Sequence, residues 1–274
     1  MPSDSSLGFN QLVATPNGPF LVNRNDQYVG RSWIEYGEFS EEEGKFLDDL
    51  ISPGDIVLEV GANMGSHTVR MARKVEHGRV IAFEPQRLIF QLLCANVALA
   101  SLKNVECHWA ALGAKRGGIE VPELDPDEPN NFGALSLNLG EAGQKVPCYT
   151  ADEIFVLPRL DLIKIDVEGM EAEVIIGASR LIKEHQPLLY VENDRIDHSE
   201  NLMRIIDSMG YAMYWHTPPL FSLDNPAHKE EDIFGSIASC NMFCAPKHMQ
   251  QHIDIPKIEN FTENPLKPCQ VQAA

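Results

Sequence analysis

Between residues 55 and 191, short apolar runs alternate with stretches of helical periodicity, and this alternation restricts the fold more than any other feature of the chain. Ile56 to Val60, Val80 to Phe83, Val105 to Leu112, Leu160 to Ile165 and Leu188 to Val191 read as strands. Residues 66–76, 86–99 and about 170–184 read as the helices between them. Strands that are apolar on both faces belong to a parallel sheet, because each crossover lays a helix on one face or the other. The pattern predicts a doubly wound, mostly parallel α/β sheet. A helix near 199–209 and two strands, Tyr211 to His216 and Ser236 to Phe243, follow.

Upstream, residues 28–39 mix aromatics and glycines and read as an extended entry arm. Ser40 and Glu43 have capping-box spacing ahead of a helix whose one face carries Phe46, Leu47, Leu50 and Ile51, and Pro53-Gly54 ends it. A length of 274 residues suits one large domain. The expected division is an N-terminal extension over 1–27, the domain over 28–247, and a loosely attached tail over 248–274 containing Pro256, Pro265 and Pro268. The acidic, proline-rich stretch 122–133 is expected to be a surface loop rather than a lid.

Charge narrows the partners. Lys and Arg total 22 against 40 Asp and Glu, a net −18 that repels nucleic-acid backbones and anionic membranes. There is no basic N-terminal region ahead of an apolar run and no window approaching the roughly 18 apolar residues of a membrane span, so a cytoplasmic protein is expected. The six cysteines are scattered, with no Cys-x-x-Cys pair, which fits small buried hydrophobes in a reducing compartment. His248 and His252 lack the intervening Glu of a metalloprotease helix, and neither a Gly-x-Ser-x-Gly elbow nor a P-loop is present.

Three motifs fall at strand ends. The first strand runs from Asp55 through Glu59 into Gly61-Ala62-Asn63-Met64-Gly65, a turn that lets a backbone approach a ligand where open α/β sheets bind one. Asn63 occupies the position where a dinucleotide fingerprint needs its second glycine, and Glu59 would oppose a pyrophosphate while favouring a cationic ligand. The second strand ends in Phe83-Glu84-Pro85, about twenty residues past the turn, where an acid can accept the hydroxyls of an adenosyl ribose. The fourth ends in Lys164-Ile165-Asp166-Val167-Glu168-Gly169, whose charges must pair, bind a ligand or reach solvent.

These motifs, together with Tyr36-Gly37-Glu38 and Gly177-Ala178, resemble the FkbM family of S-adenosylmethionine-dependent methyltransferases over roughly residues 26–245. The resemblance implies a seven-stranded class I methyltransferase (Rossmann-like) sheet with an antiparallel C-terminal hairpin. It also implies S-adenosyl-L-methionine as cofactor and O-methylation of a hydroxyl on a sugar, glycan or other small natural product. Glu59 stands where relatives more often carry Asp, and Ala151 precedes Asp152 where Leu is more usual. The implied cofactor-binding set is Glu59, Gly61, Ala62, Asn63, Gly65, His67, Glu84 and Ala110. Asp166 and Glu168 are the candidate catalytic acids, one of them the base that takes the acceptor proton, with His67 and His216 as substitutes. A divalent ion held by Asp166, Glu168 and Glu192 is a weaker alternative, and the expectation is that no metal is needed. Two other functions compete: a nicotinamide-dependent oxidoreductase, which Asn63 disfavours, and a non-catalytic protein that binds an adenosyl ligand.

Overall fold

A computed structural model describes residues 6–133, 143–249 and 254–266. The chain opens with an antiparallel meander of β1 (Ser6–Leu7), β2 (Asn10–Thr15) and β3 (Gly18–Asn23). The expected extended arm is instead a helix, α1 (Val29–Tyr36), ended by Gly37 at a φ of 77°. Val29, Trp33 and Tyr36 recur at i, i+4 and i+7, the spacing of one helical face, and Trp33 stacks on Phe20 at 4.1 Å between ring centroids. α2 (Glu41–Leu50) begins where predicted, yet the capping box does not form. Ser40 has a left-handed backbone and its hydroxyl donates to Glu43 Oε2, because Glu43 lies on the buried face with Leu47 and turns inward.

Strands and helices then alternate as predicted through β4 (Ile56–Val60), α3 (Ser66–Lys74), β5 (Arg79–Phe83), α4 (Arg87–Leu99) and β6 (Val105–His108). The run predicted as one strand to Leu112 breaks at Trp109. Its end is β7 (Ala111–Leu112), which leaves the main sheet and pairs in a small one with β8 (Gly117–Val121) and β9 (Gln144–Tyr149). A short α5 (Ala151–Ile154) leads to β10 (Leu162–Ile165). The single helix expected over 170–184 is two, α6 (Glu171–Gly177) and α7 (Ser179–His185). Gly177 packs so closely on Gly113 that a Cβ there would lie 2.0 Å from the Gly113 carbonyl oxygen.

β11 (Leu188–Glu192), α8 (Ile196–Ser208), β12 (Tyr211–His216) and β13 (Asn241–Pro246) complete the sheet. The last strand starts five residues later than the Ser236 expected, since Ala238 is taken up in an isolated bridge to Pro219. The seven strands lie in the order β12-β13-β11-β10-β4-β5-β6, with only β13 antiparallel to its neighbours. This is the doubly wound, Rossmann-like sheet with a terminal hairpin that the sequence predicts.

Alternation along the strands sorts side chains between two cores. Leu58, Ile81, Ile163 and Leu189 point to one, and Val57, Val80, Leu162, Tyr190 and Phe243, packed with Leu47 and Met71, point to the other. Glu59 and Lys164 share the second face in register, Lys164 opposite both Glu59 and Tyr190.

The tail is not loosely attached over 254–266. Trp215 donates to the Pro256 carbonyl and Ile258 to that of Met213, while buried Asn264 donates to the Asn193 carbonyl and Ser199 Oγ. His252 and Pro268 lie outside the described residues. Among the described residues no helix is long and apolar enough to cross a membrane.

Candidate functional site

The carboxyl ends of β4, β5, β10 and β11 open into one crevice of about 400 Å³. That volume lies within the roughly 300–1,000 Å³ usual for small-molecule sites. All eight residues predicted to touch a cofactor are placed around this opening, seven of them in its wall and Gly65 at the end of the turn. Asp166 and Glu168 line it as well.

The turn after β4 is held by two bonds to one acceptor, the Gly61 and Ala62 amides both donating to the Phe83 carbonyl. Gly61 and Gly65 have φ values of 84° and 90°, a region that strains other residues. For Gly61 the need for glycine is more immediate than approach to a ligand: a Cβ there would lie 1.7 Å from the Asp166 carbonyl oxygen. Asn63 is also left-handed, at 50°, a conformation that Asn tolerates. Met64 is fully buried in the packing between α4 and the N-terminal meander, as a core residue should be.

Glu84 is buried and already engaged. Its Oε2 accepts from the Asn63 amide at 2.9 Å and its Oε1 from the Gln86 amide at 2.8 Å. Burial pushes its carboxyl up to about 7 against the pull of these two bonds, so the free protein holds it poised between charged and neutral. Each oxygen retains room for a further donor. Ala110 is buried in the same wall.

Beneath this end, a buried polar network joins four elements. Lys164 Nζ lies 3.1 Å from Asp166 Oδ2 and 3.9 Å from Glu43 Oε1. His67 Nε2 is 3.4 Å from the same Glu43 oxygen, and Thr68 Oγ1 donates to Glu59 Oε2 at 2.5 Å. Burial opposes charge on Glu43, but His67, Lys164 and Ser40 outweigh it and hold the carboxyl at about 2. Burial wins at Glu59, whose carboxyl is raised despite Lys164 and Thr68. At Lys164 burial is outweighed by Asp166, Glu43 and Glu59, which raise the ammonium. Glu43 is a wall residue that the motif reading misses. Its signal was position: it precedes Leu47 and Leu50 by four and seven residues, on the apolar face of α2.

The other end of the crevice is more acidic. Glu168 has a left-handed backbone, φ 56°, followed by Gly169 at 104°, and its Oε2 pairs with Arg195 Nη2. Burial and Asp166 push its carboxyl up to about 7 against Arg195. Glu192, at the end of β11, is half-buried as a residue, yet its Oε2 is sealed from solvent and has no hydrogen-bond partner among the described residues. Burial, then Asp166 and Glu168, raise it well above the ordinary carboxyl range. One oxygen each from Asp166, Glu168 and Glu192 falls within 4.8 Å of the others. Asp194 also lines the wall, with Arg195 Nε 3.4 Å from its Oδ1. Asp194 and Arg195 sit in the loop after β11, with no periodicity to flag them.

Two expectations fail here. His216 does not reach the crevice: it hydrogen-bonds Tyr190 Oη at 2.8 Å and stacks on Phe46, which removes it as a substitute base. The 122–133 loop is not a plain surface excursion. Phe132 is buried, the Pro126 carbonyl accepts from Asn23 and Asn25, and Asn131 and Gly133 line the crevice.

Residues 59–213 match the family model described as the methyltransferase FkbM domain. The chain is similar to methyltransferase sdnD of Sordaria araneosa, 28% identical over 65% of this chain and 81% of that protein. It is also similar to the hexuronic acid methyltransferase AglP of Haloferax volcanii, 27% identical over 47% of this chain and 52% of that protein, so it spans about half of that relative's length. In fold it is similar to a precorrin-6y C5,15-methyltransferase from Geobacter metallireducens GS-15, with a TM-score of 0.51 at 15% identity, over 75% of this chain and 88% of the other.

Proposed function

Because this chain belongs to the FkbM methyltransferase family, we propose that it moves the methyl group of S-adenosylmethionine onto a hydroxyl oxygen of a sugar or other small-molecule acceptor. The observation that carries this reading is the crevice itself, a single opening at the strand ends whose wall combines the Gly61 turn, the buried Glu84 and the acids after β10. Family membership displaces the nicotinamide reading. Sugar acids are the first acceptors to test, since the name of one relative specifies a hexuronic acid.

The residues present suit a cationic adenosyl ligand. Glu84, with two oxygens fixed by backbone amides, is set to accept ribose hydroxyls, and Glu59 and Asp166 bring negative charge toward a sulfonium and an ammonium. The Gly61–Gly65 turn and Ala110 would hold the adenosyl group between the ends of β4 and β5. S-adenosylmethionine supplies an activated methyl group on a sulfonium.

What remains for the protein is alignment, exclusion of water and management of one proton. Asp166 and Glu168 stand where an acceptor hydroxyl would enter, and a carboxylate whose affinity for protons lies near neutrality suits a base working at physiological pH. Lys164 holds Asp166 and Arg195 holds Glu168 through one oxygen each. Release of S-adenosylhomocysteine from a panel of free hexuronic acids, neutral sugars and phenols is the test. Turnover with a hydroxyl acceptor and none with its O-methyl ether is expected; methylation of amines alone would contradict the reading.

A further inference from the structure

We propose that Asp166, Glu168 and Glu192 form a binding site for one hard divalent cation of the Mg²⁺ or Mn²⁺ class, at the acceptor end of the crevice. The inference rests on the methyltransferase reading for its purpose, though not for its existence.

Three observations converge. First, strand register brings the ligands together: Ile165 of β10 pairs with Val191 of β11, so the next residue of each strand, Asp166 and Glu192, emerge side by side, and Glu168 returns to them through its left-handed turn. The resulting three oxygens lie within 4.8 Å of one another, no wider than two oxygens facing each other across a cation with bonds of about 2.4 Å. Small side-chain shifts would close them around the shorter bonds of Mg²⁺ or Mn²⁺.

Second, acids outnumber cations: among the described residues, Asp166, Glu168, Glu192 and Asp194 have Lys164 and Arg195 as their cationic partners, and Lys164 is shared with Glu43. Lys164 occupies Asp166 Oδ2 and Arg195 occupies Glu168 Oε2, so each ligand keeps its second oxygen.

Third, Glu192 Oε2 is closed off from solvent and has no donor among the described residues. A sealed carboxylate oxygen without a partner is costly, and the buried acids elsewhere in the crevice avoid that cost: Glu59 has Thr68 and Glu84 has two amides. A cation is the partner that this position lacks. The ligand set is entirely oxygen, which selects hard cations over zinc or copper. Three protein ligands leave about half of an octahedral shell for water or for acceptor oxygens.

The test is a Mn²⁺ titration of the full chain in chelator-treated buffer, followed by electron paramagnetic resonance of the free ion and by calorimetry. One Mn²⁺ should bind per chain, with Glu192→Gln and Asp166→Asn each weakening it by at least about tenfold, the scale of losing one charged contact. Half-buried Asp207→Asn, on α8, where the carboxylate pairs with Lys247, should bind as wild type does. Absence of saturable binding up to millimolar Mn²⁺ would overturn the site, as would binding that both crevice variants leave intact. If one variant melts early, the other decides. S-adenosylhomocysteine binding with chelator present separates the two claims: cofactor binding without Mn²⁺ binding sinks the cation site alone, whereas loss of cofactor binding sinks the methyltransferase reading.

Discussion

The two ends of the crevice contain similar numbers of acids and treat them differently. At the β4–β5 end each buried carboxylate is satisfied by its own surroundings: Glu59 by the Thr68 hydroxyl, Glu84 by the Asn63 and Gln86 amides, Glu43 by Ser40 and His67. At the β10–β11 end Asp166 and Glu168 are each tied to one cation, and Glu192 Oε2 has no partner among the described residues. Satisfied polar groups make a rigid, preformed surface, whereas uncompensated ones mark a place completed by something else. The contrast fits a cofactor pocket that is ready before binding, next to an acceptor pocket that needs a further ligand.

The harshest way to break the preformed end is Gly61→Val. With a Cβ position 1.7 Å from the Asp166 carbonyl, the strands must separate, so Tm should fall by at least about 10 °C in a thermal melt. A native-like Tm with cofactor binding lost would instead mean that the turn serves the ligand alone.

Lys164→Met comes next, since it removes the buried cation that Glu43, Glu59 and half-exposed Asp166 share. A loss of about 3–5 kcal/mol is expected by denaturant unfolding at pH 7. The pH dependence has a definite sign. Glu43 titrates at about 2 in the folded chain against an ordinary 4.5, so its contribution is complete above 4.5 and disappears as pH falls through 2. The gap between wild type and variant should therefore narrow across that acid window, and a gap that widened there would contradict the network.

Glu84→Gln sharpens the cofactor half at a modest cost to folding, since its NH2 must face one of the two backbone amides that now donate to the carboxylate. S-adenosylhomocysteine affinity should drop by about 1.5–3 kcal/mol, the worth of hydrogen bonds to a charged group. Burial raises Glu84 to about 7, so its ionisation disfavours the free protein: its contribution to stability is full below 4.5 and lost as pH rises through 7. A ligand donating to the charged form reverses that preference. Wild-type affinity should tighten from pH 6 to 8 and the variant's should stay flat.

Asn264→Ala is the mildest. It removes the bonds to the Asn193 carbonyl and Ser199 Oγ behind the β11 loop and should cost about 1–2 kcal/mol in a melt. No change would show that residues 254–266 merely lie on the surface.

The same contrast explains what was legible in the sequence. The sheet could be read because its central strands β4, β5, β10 and β11 are mostly apolar runs that end at a glycine or an acid, and such runs have few other fates in a single domain. Strand-end residues such as Glu59, Gly61, Glu84 and Asp166 could be placed for the same reason: topology alone sends parallel strand ends to one side. Glu43 was hidden by its own spacing, since Ser40 and Glu43 satisfy a capping pattern while the buried Lys164 and His67 offer the carboxylate a stronger partnership. Entry helix α1 was masked by Gly30 and Gly37, although Val29, Trp33 and Tyr36 keep helical spacing. Asp194, Asn131 and Gly133 line the crevice from loops, and Arg195 pairs with Glu168 from the same loop as Asp194, where position follows from tertiary contacts with no periodic signature.

The division of labour between the two ends is tested most directly by titrating S-adenosylhomocysteine into wild type, Glu84→Gln and Glu192→Gln by calorimetry in metal-free buffer. Affinity should weaken by about 10–150-fold in Glu84→Gln and stay within about twofold of wild type in Glu192→Gln. Equal losses in both variants, or a loss confined to Glu192→Gln, would contradict that division of labour.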